Sequence, residues 1–288
     1  MIFKEFGNKD KPVIIFIHSE FLSYWMWANQ IEDLQKNYRI IATILDGHSD
    51  NASNSFESIQ KSANQIIAYI DKFFNGHVFA ICGVGIGAQI TIQILAKRND
   101  ISTKAVIEAA LVIPNNIITS YLSKTINIKH NSFKKKLYAI NSAKKLYIKK
   151  SWINTYQKDL KRISKQTHLN ILSSKYLFSI PTNYSSSSAD ILILCPKHEN
   201  HNIKNSAKLL YTENKNSILY FASGCRQNIG LKKRDLYLQL LKELFETTHK
   251  NYMSPKQKAK QERLKPKEKN KIFNNKYLTK KEKQITKK

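Results

Sequence analysis

Apolar runs of five or six residues alternate along this chain with longer stretches in which apolar residues recur every three or four positions. The runs, which predict buried strands, are Val13–His18, Ile40–Leu45, His77–Cys82, Lys104–Ala109, Ile191–Cys195 and Ser217–Phe221. The periodic stretches, which predict helices, are Trp25–Lys36, Ser58–Phe74, Ala88–Lys97, Ile203–Glu213 and Lys233–His249. Such alternation is typical of an α/β fold, with a doubly wound, mostly parallel sheet covered by helices on both faces.

Residues 115–188 interrupt this alternation with two amphipathic stripes. One stripe is formed by Phe133, Leu137, Ile140 and Tyr147, and the other by Trp152, Tyr156, Leu160 and Ile163. A serine-rich stretch, residues 184–188, has the composition of a flexible connector. We therefore expect a helical cap over residues 115–188, inserted into a core made of residues 1–114 and 189–250.

Positive charge is concentrated in two parts of the chain, whose formal net charge is +27. Residues 115–188 carry fourteen Lys or Arg against one acid, Asp159, and residues 255–288 carry fourteen against three. Lysine outnumbers arginine by 42 to 6, which disfavours the bidentate reading of bases. The predicted partners of the cap and the tail are therefore anionic surfaces, either membrane lipid or nucleic acid.

The end of the chain, residues 251–288, has few apolar residues and no stripe long enough to form a core. Its composition predicts a lysine-rich, disordered tail. The three cysteines, Cys82, Cys195 and Cys225, lack metal-ligand spacing and fit a reducing compartment. No basic segment followed by a long apolar stretch begins the chain, and its apolar runs are too short to span a bilayer. These features favour a cytoplasmic protein.

A glycine-rich turn, Gly83-Val84-Gly85-Ile86-Gly87, joins a predicted strand to a predicted helix. Two chemistries use such a turn: the G-x-S-x-G elbow that presents a serine, and the G-x-G-x-x-G/A loop that approaches a pyrophosphate. Gly83, Gly85 and Ala88 satisfy the second pattern, with Glu108 at the end of the next strand as the ribose-binding acid. That loop normally follows the first strand of its sheet, whereas two strand–helix units precede it here. Dinucleotide binding therefore remains an alternative to the elbow.

The order of the motifs resembles that of the α/β-hydrolase superfamily, in particular its capped esterases and C–C hydrolases. The motifs are His18-Ser19, Asp46-Gly47-His48-Ser49, Gly83 to Gly87, Pro196 to Glu199, and Ser223-Gly224-Cys225, and the resemblance spans residues 1–249. It implies that Gly85 occupies the nucleophile position, Glu199 the acid position and Cys225 the position of the base. It also implies an oxyanion hole formed by the amide of Ile86 and an amide near Ser19 or Glu20.

The residues at these positions predict a degenerate catalytic triad. Hydrolysis needs a hydroxyl that attacks and an imidazole that accepts its proton, but Gly85 has no side chain and Cys225 has no evident base beside it. A Glu20 carboxylate that turned inward would oppose a developing negative charge, while the sequence is equally compatible with its pointing to solvent. The predicted function is a non-hydrolytic pseudoenzyme without a cofactor, which binds a small or acyl-type ligand, an anionic ligand or a protein. The alternative is an active hydrolase or lyase that uses other residues.

The candidate ligand-binding residues lie at strand ends and in the cap. They are His18, Ser19, Trp25, Lys134, Lys135 and Lys136. His198, Glu199 and His201 are residue types that bind zinc, but their spacing does not match H-E-x-x-H. No metal site is therefore predicted.

Overall fold

The computed structural model describes residues 1–226 and 228–246. The predicted tail, residues 251–288, lies outside these ranges, as does the end of the last predicted helix. Within the described ranges, seven strands form one sheet in the order β1-β3-β2-β4-β5-β6-β7. The strands are β1 (Ile2–Phe6), β2 (Val13–Ile17), β3 (Arg39–Ile44), β4 (Val78–Val84), β5 (Ser102–Glu108), β6 (Asp190–Pro196) and β7 (Ser217–Ala222). Of these seven described strands, β1 alone runs antiparallel to its neighbour, β3.

Helices cover both faces of this sheet. Those of the described residues are α1 (Ala28–Leu34), α2 (Ile59–Phe74), α3 (Ile86–Lys97), α4 (Asn116–Phe133), α5 (Lys136–Leu146), α6 (Ile153–Arg162), α7 (Lys165–Leu177), α8 (His201–Glu213), α9 (Ile229–Lys232) and α10 (Arg234–Glu246). Alternate residues of β2 point to opposite faces: Ile15 and Ile17 belong to the core that contains the buried residues of α2 and α3, while Ile14 and Phe16 belong to the core that contains those of α1 and α10. The predicted α/β fold with a doubly wound, mostly parallel sheet is confirmed.

Three local features differ from what the sequence predicts. The helix predicted from Trp25 begins as a short 3₁₀ turn, Tyr24–Trp27, before α1. Strand β1 was not predicted, because its five residues at the sheet edge are only half-buried or exposed and form no apolar run. The serine-rich stretch is not a free connector: Thr182–Ser186 form a 3₁₀ helix, Tyr184 is fully buried, and its carbonyl accepts a hydrogen bond of 2.9 Å from Asn214.

Helices α4–α7 lie between β5 and β6, and residues 115–188 are called the helical segment below. The segment contacts the turn that follows β2 and the start of α3, which follows β4. Trp25 Nε1 donates to Asp159 Oδ2 at 2.8 Å, and Gln89 Nε2 donates to the carbonyl of Lys175 at 2.9 Å. The helical segment therefore covers the carboxyl-terminal edge of the sheet, which is where parallel α/β sheets carry their sites.

Candidate functional site

The glycine-rich turn forms a sharp elbow between β4 and α3. Gly85 has φ of 58° and ψ of −117°, a conformation that favours glycine, and its amide donates to the Glu108 carbonyl at 2.9 Å. Gly87 lets α3 approach β2 closely, because a Cβ at this position would lie 2.4 Å from the carbonyl oxygen of Ile17. This strand–turn–helix geometry is that of a nucleophile elbow.

The space above Gly85 is filled by the loop that follows β2. A Cβ on Gly85 would lie 2.5 Å from Oε2 of Glu20 and 2.5 Å from Oγ of Ser19. The Ser19 hydroxyl donates to Glu20 Oε2 at 2.9 Å, and the amide of Ile86 donates to the same oxygen at 3.1 Å. The Glu20 carboxylate thus lies where a nucleophilic side chain would project. It also accepts the hydrogen bond of the Ile86 amide, the amide that follows the nucleophile position.

An ion pair holds Glu20 in this inward orientation. Its partner is Lys175 of α7, and the two side chains are only 16% and 20% exposed. Burial by itself would raise the pKa of Glu20, but the charge and hydrogen bond of Lys175 lower this pKa to about 2. The Glu20 charge in turn raises the pKa of Lys175 despite its burial. Both groups are therefore charged at neutral pH, and the Ile86 amide faces a resident anion.

The other two triad-equivalent positions lie in the turns after β6 and β7, and among the described residues no hydrogen bond joins their side chains. Glu199 is in the turn after β6, and its Oε1 accepts hydrogen bonds from the amide and side chain of Asn200 at 3.0 and 3.2 Å. Cys225 is 2% exposed. Burial raises the pKa of its thiol, and the neighbouring carboxyls of Glu108 and Glu199 raise it further. A thiol in this setting stays protonated and is a poor nucleophile.

Glu108 is a buried carboxyl at the end of β5. Its side chain is fully buried, Oε1 accepts a hydrogen bond of 2.5 Å from the amide of Ile229, and Oε2 has no partner among the described residues. Burial raises its pKa to about 8, so the group is mostly protonated at neutral pH. It has no exposed surface for a ribose, which argues against the dinucleotide alternative. The sequence shows that Glu108 ends an apolar strand, but it does not show that the side chain is buried.

Two histidines support the loop that carries Glu20. His18 Nε2 accepts a hydrogen bond from the amide of Leu45 at 3.0 Å, and its Nδ1 lies 2.8 Å from the carbonyl of Ser19. His48 Nε2 accepts from the amide of Phe21 at 3.2 Å. Burial lowers the pKa of His18 to about 3 and that of His48 to about 4. The His18 ring is therefore neutral, and its nitrogens are used by the main chain rather than available to a ligand.

The remaining candidate residues have different positions. Ser19 lies at the elbow, as described above. Trp25 is 3% exposed, and it stacks on Trp152 of the helical segment at 5.5 Å between ring centroids. Lys134–Lys136 are exposed at the junction of α4 and α5. The three cysteines are free and buried, and among the described residues no group of His, Cys, Asp and Glu could hold a metal ion. In those residues there is also no helix long and apolar enough to cross a membrane.

Comparison with known proteins identifies the fold. No protein-family model matches the chain, and no curated protein matches its sequence. A thermophilic esterase from Thermogutta terrifontis superposes with a TM-score of 0.72 at 12% identity, over 86% of this chain and 93% of the esterase. The enol-lactonase from Burkholderia xenovorans LB400 gives 0.72 at 11% identity, over 85% of this chain and 96% of the lactonase.

A third solved structure, from work on carboxylesterases of the Thaumarchaeon Nitrososphaera gargenis, gives a TM-score of 0.69 at 14% identity and covers 84% of this chain and 92% of that one. At such identities the likeness concerns the fold, and function has to be argued from the site. The sheet order, the elbow after β4 and these superpositions all indicate the same fold. The chain therefore has the α/β-hydrolase fold.

Proposed function

We propose that this chain is a non-hydrolytic protein of α/β-hydrolase fold that acts by binding rather than by turnover. The observation that carries the proposal is the position of the Glu20 carboxylate, which accepts a hydrogen bond from the Ile86 amide and fills the space above Gly85. A developing oxyanion at this amide would meet a fixed negative charge instead of a free donor. In a serine hydrolase, loss of the serine or the histidine alone lowers kcat by about a millionfold. Here both are absent from the equivalent positions.

The competing function is turnover by residues outside the expected triad. The solved relatives include an esterase and an enol-lactonase, so ester or lactone cleavage is the activity to consider. The Ser19 hydroxyl lies 2.5 Å from the position that a Cβ on Gly85 would take, and it donates to Glu20 Oε2 at 2.9 Å. A carboxylate whose pKa is about 2 is a weak general base near neutral pH. This weakness favours the non-hydrolytic proposal.

Hydrolysis assays separate the two functions. The full chain is incubated with short esters, thioesters and lactones, with an active esterase as the positive control. We expect no rate above the uncatalysed reaction, and no difference between the parent and the Ser19→Ala variant. Turnover that is lost in Ser19→Ala or Glu20→Ala would show that the chain is an enzyme.

The helical segment supports an anionic partner for this binding function. Its one acid, Asp159, is 4% exposed and bonded to Trp25, so the exposed surface of the segment carries no carboxylate of its own. The space between the segment and α1, lined by Trp25, Met26, Trp152 and others, measures about 20 Å³, room for roughly one water molecule. These features favour contact on the outer surface over an acyl ligand in that space. Binding of an anionic partner should weaken as salt is added.

A further inference from the structure

Helix α4 carries apolar residues on two faces. The inner face packs on the protein, with Leu122, Ile126 and Phe133 no more than 2% exposed. On the outer face, Ile117, Tyr121 and Ile128 are 74%, 58% and 77% exposed. Spacings of four and seven residues place these three side chains in one row along the helix.

Two further exposed apolar side chains belong to neighbouring helices of the helical segment. Leu137 in the first turn of α5 is 69% exposed, although the sequence pattern predicted it on a buried face, and Leu177 at the end of α7 is 52% exposed. Six large hydrophobic side chains are exposed in the described part of the chain, and five of them belong to the helical segment. Isolated exposed apolar residues are ordinary, whereas a contiguous row marks an interaction surface.

Exposed lysines lie within the apolar row and around it. Lys124 falls in the row between Tyr121 and Ile128, with its Nζ 5.9 Å from the centre of the Tyr121 ring. Lys129 and Lys134–Lys136 are exposed near the end of α4. Since the one acid of the helical segment is buried, no carboxylate of the segment offsets these charges. The face is therefore both apolar and cationic.

We propose that α4 and the first turn of α5 bind the surface of an anionic lipid bilayer. Ile117, Tyr121, Ile128 and Leu137 enter the boundary between headgroups and acyl chains, and the lysines contact the anionic headgroups. Amphipathic helices that lie in a membrane interface combine these two features. The inference rests on the anionic partner proposed above and names its chemical class.

The apolar row distinguishes a bilayer from other anionic or apolar partners. Exposed aliphatic side chains such as Ile117 and Ile128 gain from leaving water, and the phosphate backbone of a nucleic acid offers them no hydrocarbon. A second copy of the chain would bring two cationic faces of like charge together, which opposes association. A bilayer with anionic lipid complements both the aliphatic and the cationic side chains.

A position-specific fluorescent label tests the insertion. Because the three native cysteines are buried, a cysteine introduced in the full chain by Ile128→Cys takes an environment-sensitive label selectively. Phe73→Cys provides the matched control, since Phe73 is 53% exposed on α2, beside Lys72, and outside the helical segment. Vesicles of phosphatidylcholine, alone or mixed with phosphatidylserine, are then added. We expect a blue shift of the label at position 128, but not at 73, only with phosphatidylserine and reversible by salt.

Vesicle co-sedimentation provides the second measurement. The triple variant Ile117→Ser, Ile128→Ser and Leu137→Ser should bind phosphatidylserine vesicles about tenfold more weakly than the parent, whereas Phe73→Ser should bind like the parent. Circular dichroism checks that the variants fold. Equal blue shifts at positions 73 and 128, or unchanged binding by the triple variant, would overturn the inference. So would self-association of the parent, without vesicles, that the triple variant loses.

The two proposals fail in distinguishable ways. Salt-sensitive binding to RNA or to soluble polyanions without a blue shift at position 128 overturns the lipid inference and leaves the anionic partner standing. Ester turnover overturns the non-hydrolytic function whatever the vesicles show.

Discussion

Glu20 is held above the elbow by groups from distant parts of the chain. The Ile86 amide lies 66 positions away, Lys175 lies 155 positions away, and the Ser19 hydroxyl is adjacent. His18 and His48 fix the backbone on either side of it. The Glu20 carboxylate thereby fills the space of a nucleophilic side chain and also accepts the hydrogen bond of the adjacent Ile86 amide. Lys175 balances its charge within the protein.

Removing Lys175 should be costly at neutral pH. Lys175→Met leaves the largely buried Glu20 charge unpaired, and we expect a loss of about 3 kcal/mol in the free energy of unfolding. Lys61→Met, which breaks the exposed pair with Glu57, is the matched control and should cost no more than about 0.5 kcal/mol. Urea denaturation at pH 7 measures both. Similar small losses in the two variants would contradict the assignment of Glu20 and Lys175 as a stabilising pair.

Acid should remove the contribution of Glu20. Its folded-state pKa of about 2 lies below the ordinary 4.5, so the stability it confers is full above about pH 4.5 and is lost as the pH falls toward 2. The difference in unfolding free energy between the parent and Glu20→Gln should therefore shrink over that range. Urea curves between pH 3 and 7 provide the measurement, and a constant difference would refute the lowered pKa.

Glu108 should give the opposite pH dependence. Its folded-state pKa of about 8 exceeds the ordinary 4.5. Below pH 4.5 the carboxyl is protonated in both states and does not lower the free energy of unfolding; as the pH rises toward 8, this free energy falls. Glu108→Gln removes this loss, and relative to the parent it should gain up to about 4 kcal/mol between pH 4 and pH 9. The half-exposed Glu199→Gln serves as control. Thermal denaturation of the three proteins over this pH range measures the gain; parallel curves would exclude a raised pKa.

At the scale of elements, the site depends on the close contact of α3 with β2. The amide of Ile86 and the backbone of Gly85 are placed by the first turn of α3, and Gly87 sets how closely that turn approaches β2. The exposed apolar row of α4 also depends on how whole elements pack. That helix buries only one of its two apolar faces, so helical spacing alone does not reveal which face meets the protein.

Gly87→Ala should weaken the packing of α3. Its Cβ would lie 2.4 Å from the carbonyl oxygen of Ile17 and 2.7 Å from that of His18, so backbone has to move. We expect a loss of about 2 kcal/mol despite the better helix propensity of alanine. In the control Gly230→Ala, the nearest atom is Nε2 of Gln30 at 3.1 Å, a side chain that can adjust. Calorimetry should show a larger fall in Tm for Gly87→Ala, and equal falls would contradict this packing argument.

For the whole molecule, the helical segment and the sheet are joined by buried polar contacts. Trp25 Nε1 donates to Asp159 Oδ2 at 2.8 Å, and the amide of Phe56 donates to Oγ1 of Thr167 at 3.2 Å. Breaking a buried contact of this kind leaves a polar group without a partner. We therefore expect the segment and the sheet to unfold in one transition.

The Trp25–Asp159 contact tests this coupling. Trp25→Phe leaves the Asp159 carboxylate without its indole donor and should cost about 2 kcal/mol. Hydrogen exchange of α6 amides should then accelerate more than that of β4 amides. Trp152→Phe, at the half-buried ring that stacks on Trp25, is the milder control. Unchanged exchange in α6 would show that the segment is anchored elsewhere.

The sequence by itself determined the alternation of strands and helices, the position of the elbow and the order of motifs along the chain. These features depend on local periodicity and on short glycine-rich turns, which act over a few residues. Local periodicity does not predict strand β1, because this edge strand is stabilised mainly by pairing with β3. Tertiary structure decided the inward turn of Glu20, the burial of Glu108 and the exposure of Leu137. Each depends on which distant residues surround a side chain, and that is settled only when the helical segment packs on the sheet.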